Sequence, residues 1–286
     1  MDESTPPAPP VIRPLSAPPR IPAEPPARPS WWKRLLAPFG FILVLLGKLK
    51  GILAVLFKLP VLGTILKTGG TMLFTIWVYA QGRGWPFAFG FVLLIFVHEC
   101  GHLTVARRLG LKVGAPVFIP FMGAFIALKE APRNAWIEAQ VGIGGPLLGT
   151  AGALFCYGLY LFTDDTLYQA LAFTGFFLNL FNLAPVGFLD GGRIATALSP
   201  WLWVVGVGII AAMIVAHWPH PNFLLVLILI MSLPRLFSLF RAKTEAERRY
   251  FEVTPSQRWS MAAMYFGLII ALVLGMRLTH IDPPAG

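Results

Sequence analysis

Apolar runs recur along this chain, and they limit it to folds that a lipid bilayer can accommodate. A helix crosses the hydrocarbon core in about 20 residues and satisfies its own backbone polar groups there. Six runs approach that length: 85–106, 139–162, 167–184, 201–217, 221–236 and 259–278. A shorter run, 69–80, is predicted to make a further crossing by including residues from 61 onward. We therefore expect an all-α polytopic membrane protein.

The net charge of +10 comes from basic residues beside the apolar runs, in a chain with only 13% charged residues. Two loops on one side of the predicted bundle carry eleven of the 23 Lys and Arg residues: Arg107, Arg108, Lys112, Lys129 and Arg133 in the first, and Arg235, Arg241, Lys243, Arg248, Arg249 and Arg258 in the second. The positive-inside rule places these loops and the N-terminus in the cytoplasm. We expect a multi-pass protein, in a bacterial inner membrane, with the lipid bilayer as its surroundings and no nucleic-acid partner.

The segments outside the strongest runs suggest a division of the chain. Residues 1–30 hold 11 of the 26 prolines and are predicted to be a disordered cytoplasmic tail. Residues 31–67 are apolar but interrupted by lysines, which favours amphipathic helices at the membrane surface. Residues 68–200 would form a transmembrane core. Residues 201–286 would add C-terminal transmembrane helices, with a charged cytoplasmic segment at 241–258.

Residues 113–128 are apolar yet contain three breakers of helical structure, Pro116, Pro120 and Gly123. A helix there would be kinked or stopped. We expect a short extended or re-entrant segment folded against the helices, because protein must cover its backbone at membrane depth.

His98, Glu99 and His102 form an H-E-x-x-H motif inside the first long run. On a helix, histidines four residues apart project from one face and can bind one zinc ion, and the adjacent glutamate can take a proton from the attacking water. The bare pattern also occurs by chance on solvated helices. Inside a membrane span that reading is poor, since an ionised side chain at the bilayer centre costs about 2.5 kcal/mol or more.

A hydrolytic zinc site commonly has three protein ligands and an open position, so a third ligand should come from another span. Asp190 is the candidate. Pro185 and Gly187 are expected to unwind the preceding helix end, and Gly191 with Gly192 permits close backbone approach. Taken alone, the sequence L-D-G-G around Asp190 is also a common turn signal.

Together the two motifs resemble the site-2 protease family of intramembrane zinc metalloproteases, whose later motif is N-x-x-P-x-x-x-L-D-G. The resemblance covers roughly residues 69–200. It implies site-2 protease-like core helices with flanking transmembrane helices and Zn²⁺ as cofactor. The implied roles are zinc ligation by His98, His102 and Asp190, general base and acid catalysis by Glu99, and for Asn182 a polar group near the reacting carbonyl. The implied reaction is hydrolysis of peptide bonds in or near transmembrane segments of single-span membrane proteins.

Two departures from the family pattern qualify the resemblance. Many relatives have a proline where this chain has Gly187, which leaves the backbone freer there. Only about residues 163–166 separate the second and third core helices, so we expect a minimal member without a PDZ domain or a nucleotide-binding regulatory domain. The run of small residues at 142–149 is expected to allow tight helix contacts.

Two other functions are compatible with the same residues. Intramembrane His, Glu and Asp could form the pathway of an ion or metal transporter. The chain could also be a homologue that binds membrane proteins without cutting them, although an intact Glu99 argues against that. His217 and His220 lie in a loop on the far side of the predicted bundle, with no carboxylate close in sequence. We expect a loop or interface role for them rather than a second metal site.

Overall fold

The computed structural model describes residues 47–48, 50–51, 60–128, 130–220, 222–241 and 244–280. Contacts divide the chain into two units, Met1–Val55 and Leu56–Gly286. The four described residues of the first unit are helical. The predicted tail at 1–30 and the greater part of the segment 31–67 lie outside the described residues.

Nine helices and one two-stranded sheet make up the described part of the second unit. They are α1 (Pro60–Arg83), α2 (Trp85–Arg108), β1 (Val113–Ile119), β2 (Gly123–Leu128), α3 (Ala135–Thr163), α4 (Thr166–Asn182), α5 (Asp190–Leu198), α6 (Pro200–Ala216), α7 (Phe223–Phe240), α8 (Glu245–Tyr250) and α9 (Pro255–Leu278). The chain is thus an all-α polytopic membrane protein with one short extended element, as the sequence predicts.

Among the described residues, three helices are long and apolar enough to cross a membrane: α2, α3 and α9. Helices α6 and α7 carry shorter apolar stretches. Helix α1 has 24 residues and includes the predicted run 69–80, but it is not among the three. Its crossing therefore stays a prediction. Between α3 and α4 only Asp164 and Asp165 intervene, which agrees with the short connection expected there.

Helices α2 and α3 form the centre of the bundle and touch backbone to backbone. A Cβ atom at Gly101 would overlap the carbonyl of Gly144 on α3. A Cβ at Gly144 would in turn lie 2.9 Å from the carbonyl oxygen of Gly101. The expected tight contact through the small residues 142–149 is confirmed. It follows that glycine at these positions sets how closely α3 approaches the helix that carries the H-E-x-x-H motif.

The chain between α4 and α5 is unwound, as expected. Helix α4 ends at Asn182, and Gly187 has φ +55°, a conformation that proline cannot adopt. Gly191 lies so close to the end of α4 that a Cβ there would overlap the Leu183 carbonyl. The same carbonyl accepts a 2.6 Å hydrogen bond from the Tyr265 hydroxyl of α9. These contacts fix the start of α5, where Asp190 lies.

The expected extended segment at 113–128 is an antiparallel hairpin. Phe118 pairs with Ala124, and Val117 pairs with Phe125. Helix α1 holds the hairpin through polar side chains. The Thr68 hydroxyl donates to the Pro116 carbonyl at 2.8 Å, the Phe118 amide donates to Thr71 Oγ1 at 3.2 Å, and the Phe121 amide donates to the Tyr79 hydroxyl at 2.9 Å. The outer edge of β1 is therefore covered by α1.

Candidate active site

The three predicted ligands meet at the centre of the bundle. His98 and His102 lie one turn apart on α2 and are 3% and 7% exposed. Asp190 is the first residue of α5 and is 7% exposed. The Nε2 atom of His98 lies 3.1 Å from Asp190 Oδ2 and 3.1 Å from His102 Nε2, and His102 Nε2 lies 3.2 Å from Asp190 Oδ2. Three donor atoms from two elements thus form a nearly equilateral triangle.

Hydrogen bonds on the far side of each imidazole fix which nitrogen carries the proton. His102 Nδ1 lies 2.7 Å from the Val141 carbonyl oxygen, which can only accept, so Nδ1 is the protonated nitrogen. His98 Nδ1 lies 2.8 Å from Asn179 Oδ1, which also accepts. In the neutral form of each ring, Nε2 would therefore point a lone pair at the Asp190 carboxylate. A metal cation between the three atoms would satisfy this convergence of acceptors.

The triangle fits zinc. Ligands 2.0–2.1 Å from a tetrahedral zinc ion are separated by about 3.3 Å, close to the three separations found here. Two neutral histidines and a carboxylate are a donor set that zinc accepts, and three protein ligands leave a fourth position for water or substrate. Among the described residues, His98, His102 and Asp190 are the group placed to hold a metal ion.

A cavity of about 450 Å³ opens beside the three ligands. Glu99, 7% exposed, lines it next to His98. Asn182 lines it too, and its side-chain amide donates to the Leu178 carbonyl of its own helix at 2.9 Å. Its predicted role near a reacting carbonyl stays a prediction. The cavity therefore places a carboxylate and an amide beside the metal ligands.

The hairpin also forms part of the wall of this cavity. Residues 123–126 of β2 line it, and the ring of Phe125 lies 6.1 Å from that of Phe188, which precedes Asp190 in the chain. Arg193, one turn after Asp190 on α5, lines it as well. An extended backbone edge and a metal site thus face the same space.

The sequence does not identify three contributors to the site. The Val141 carbonyl is invisible to side-chain reasoning, because any residue supplies a carbonyl. The sequence around Asn179 is compatible both with a role at the site and with a contact between helices. A buried amide must find hydrogen-bond partners, so its place in an apolar run was the available signal. Gly145 belongs here as well, because a Cβ there would overlap the His102 ring.

Comparison with known proteins also finds similarity to zinc metalloproteases. Residues 86–165 match the family described as peptidase family M50. A zinc metalloprotease of Methanocaldococcus jannaschii is 31% identical over 38% of this chain and 33% of its own length. Probable chloroplastic zinc metalloproteases of Arabidopsis thaliana and of indica rice are 28% and 25% identical, over 40% and 63% of this chain.

The chain spans 29% to 41% of the length of these curated relatives. The family match contains His98, Glu99 and His102, and the structure adds Asp190 from beyond the matched segment. Motif, metal-site geometry and relatives agree, and over residues 86–165 the chain is similar to peptidase family M50, the family of the site-2 proteases.

Proposed function

We propose that this protein is a zinc-dependent intramembrane endopeptidase. The observation that carries the proposal is the position of the metal triangle and Glu99. They share one cavity, and both histidines belong to a helix long and apolar enough to cross a membrane. A soluble zinc protease has no need to place these residues in such a helix. The relatives named as zinc metalloproteases support the same activity.

His98, His102 and Asp190 would hold the zinc ion. When bound, zinc supplies a Lewis acid that polarises a carbonyl and makes water a stronger nucleophile. Glu99 takes a proton from the attacking water and delivers it to the leaving nitrogen. The carbon–nitrogen bond breaks, water is consumed, and a carboxylate and an amine result. We propose that Asn182, which lines the cavity, donates a hydrogen bond to the carbonyl oxygen as charge develops on it.

The substrates we propose are transmembrane segments of single-span membrane proteins. A helix hides its scissile amides in backbone hydrogen bonds, so it must unwind locally before it can be cut. Residues of β2 line the cavity, and the edge of β2 that does not face β1 would offer main-chain partners to an unwound segment. Substrate would add to it as a strand, and main-chain bonds tolerate many sequences.

The test is to incubate the purified protein with a panel of single-span membrane proteins, with and without a zinc chelator. Cleavage that stops with chelator and returns with added zinc supports the proposal. A transporter using the same residues would instead carry zinc or another cation into liposomes containing the protein. Cation flux without cleavage would support the transporter instead of the protease. Stable binding of the panel proteins, with neither cleavage nor flux, would support a non-cleaving homologue.

We further propose that the basic loops face the cytoplasm and that the cut falls in the cytoplasmic half of the bilayer. His98 and Glu99 lie late in α2, which ends at Arg107 and Arg108. Lys112 and Asp164 are exposed, and α3, which is long and apolar enough to cross a membrane, lies between them in the chain. Single cysteines at these two positions, in a chain without Cys100 and Cys156, should react with an impermeant thiol reagent only from inside at 112 and only from outside at 164. Labelling of position 112 from outside would reverse the topology.

A further inference from the structure

Asn179 is held in one orientation by two hydrogen bonds of opposite sense. Its Nδ2 donates to the Gly175 carbonyl of its own helix at 2.7 Å, so that atom must be the amide nitrogen. Its Oδ1 is left facing His98 Nδ1 at 2.8 Å. The side chain is 1% exposed, which leaves no water to exchange with either bond. His98 must therefore donate from Nδ1, and in the neutral ring this leaves Nε2 as the atom with the lone pair.

A third helix makes the space for this amide. A Cβ atom at Gly149 of α3 would overlap Asn179 Oδ1 and lie 2.8 Å from its Cγ and Nδ2. Any larger residue there must push the amide away from His98. The contact between α2 and α4 therefore depends on the absence of a side chain on α3.

We infer that Asn179 is a positioning residue for the metal site and that Gly149 enables it to act. Asn179 does not touch the metal position. It selects the tautomer of His98 and aims His98 Nε2 at Asp190 and His102. Partners of this kind on metal-binding histidines typically change metal affinity by about 10- to 100-fold when removed. The inference rests on the proposed metal site but not on proteolysis.

The test measures zinc affinity by competition with a chelator, together with the melting temperature of the metal-free protein. Asn179→Leu keeps the size of the side chain and removes the acceptor, so zinc should bind about 10- to 100-fold more weakly. Asn179→Asp keeps an acceptor for His98 but loses the donor to Gly175. It should recover zinc affinity to within a few-fold while the metal-free protein still melts below wild type. If Asn179 had a purely structural role, zinc affinity and melting temperature would fall together in both variants.

Gly149→Ala supplies a second, independent perturbation. In the wild-type background it should weaken zinc binding, because the new methyl group displaces Asn179. Added to Asn179→Ala it should weaken binding little further, since no amide remains to be displaced. Such non-additivity would show that Gly149 and Asn179 affect zinc binding through the same contact. The matched control is Thr150→Val on the same helix, because the buried Thr150 hydroxyl donates to the Pro146 carbonyl of its own helix at 2.6 Å.

The Thr150→Val control should bind zinc as tightly as the wild-type protein. The inference is overturned if Asn179→Leu and Gly149→Ala bind zinc normally, or if Thr150→Val weakens binding as much as they do. It is also overturned if Asn179→Asp is no better than Asn179→Leu. If the variants change zinc affinity as expected but the wild-type protein cleaves no substrate, the proposed function fails and the inference stands.

Discussion

The two walls of the central cavity are built in opposite ways. On one side, His98 and Asp190 are at most 7% exposed, and glycines bring helix backbones into direct contact behind them. On the other, the hairpin is two strands held to α1 by side-chain hydroxyl groups, and Phe121 at its turn is 72% exposed. One wall is fixed by backbone contacts. The other depends on a few hydrogen bonds and leaves an edge open.

We expect the close-packed wall to serve catalysis and the hairpin to serve substrate recognition. Metal ligands must be held to a fraction of an ångström, which close-packed helices achieve. A site that accepts many sequences gains from main-chain hydrogen bonding at a sheet edge, where side chains contribute less. We therefore expect substitutions in the metal wall to have all-or-none effects and substitutions in the hairpin to have graded ones.

The largest effect is expected from the ligands themselves. Wild-type protein should hold about one zinc ion per chain, and His98→Ala or Asp190→Ala should reduce this to near zero, because two remaining ligands cannot complete a hydrolytic site. Metal content of the purified variants by elemental analysis measures this. A normal zinc content in Asp190→Ala would remove Asp190 from the ligand set.

Replacing Glu99 should separate metal binding from catalysis. Glu99→Gln keeps the shape of the side chain but cannot accept a proton from water, so cleavage should fall by at least about 100-fold. Zinc content and melting temperature should stay as in wild type, since Glu99 is not a ligand. Turnover of a single-span substrate by this variant, followed on gels, measures the loss. Substantial residual cleavage would assign the base role to another residue.

A single added methyl group should disturb the close contact between α2 and α3 behind the metal ligands. Gly101→Ala places a Cβ against the Gly144 carbonyl, and backbone cannot move aside as a side chain can. Overpacking of this kind typically costs about 1–3 kcal/mol and sometimes more. We expect a clear drop in melting temperature and in zinc affinity.

Gly158→Ala on the partner helix α3 is the control, because no neighbouring atom of the described residues lies within 4 Å of a Cβ at that position. Alanine favours a helix over glycine, so this variant should be neutral or slightly stabilised. Equal melting temperatures for the two variants would show that α2 and α3 are not locked by contact.

The two walls also differ in how much the sequence reveals of them. His98, Glu99 and His102 are recognisable because spacing on a helix decides which side chains share a face. Asp190 follows because Pro185 and the neighbouring glycines mark a break in the helix. Breakers at 116, 120 and 123 likewise predict an extended segment at 113–128. These are local rules, and the structure confirms the arrangement that they predict.

Contacts between distant segments are what the sequence leaves undetermined. The bond from Asn179 to His98 depends on the rotation of α4 about its axis, which no local pattern specifies. The bonds from Thr68 and Thr71 to β1 depend on how α1 packs, and hydroxyl side chains in an apolar helix have many possible partners. The start of α5 at Asp190 depends on the positive φ of Gly187, which a glycine permits without requiring.

The smallest and most informative effect is expected at the hairpin edge. The Pro116 carbonyl and the Phe118 amide both point to α1, away from β2. Their partners across the ladder, Ile126 and Ala124, must then direct their own backbone groups away from β1, because opposite residues in an antiparallel pair share this orientation. The amides of Ala124 and Ile126 are therefore those that an added strand would use. The amide of Phe125 faces β1 instead.

Proline at position 124 or 126 should remove one donor to substrate and spare the ladder, while proline at 125 should break the hairpin. One main-chain hydrogen bond contributes about 1 kcal/mol, so Ala124→Pro and Ile126→Pro should each slow cleavage by about 5- to 10-fold with zinc content and melting temperature unchanged. Phe125→Pro should lower the melting temperature as well. Normal cleavage rates for Ala124→Pro and Ile126→Pro in folded, zinc-loaded protein would exclude strand addition and leave the hairpin as a wall that only packs the cavity.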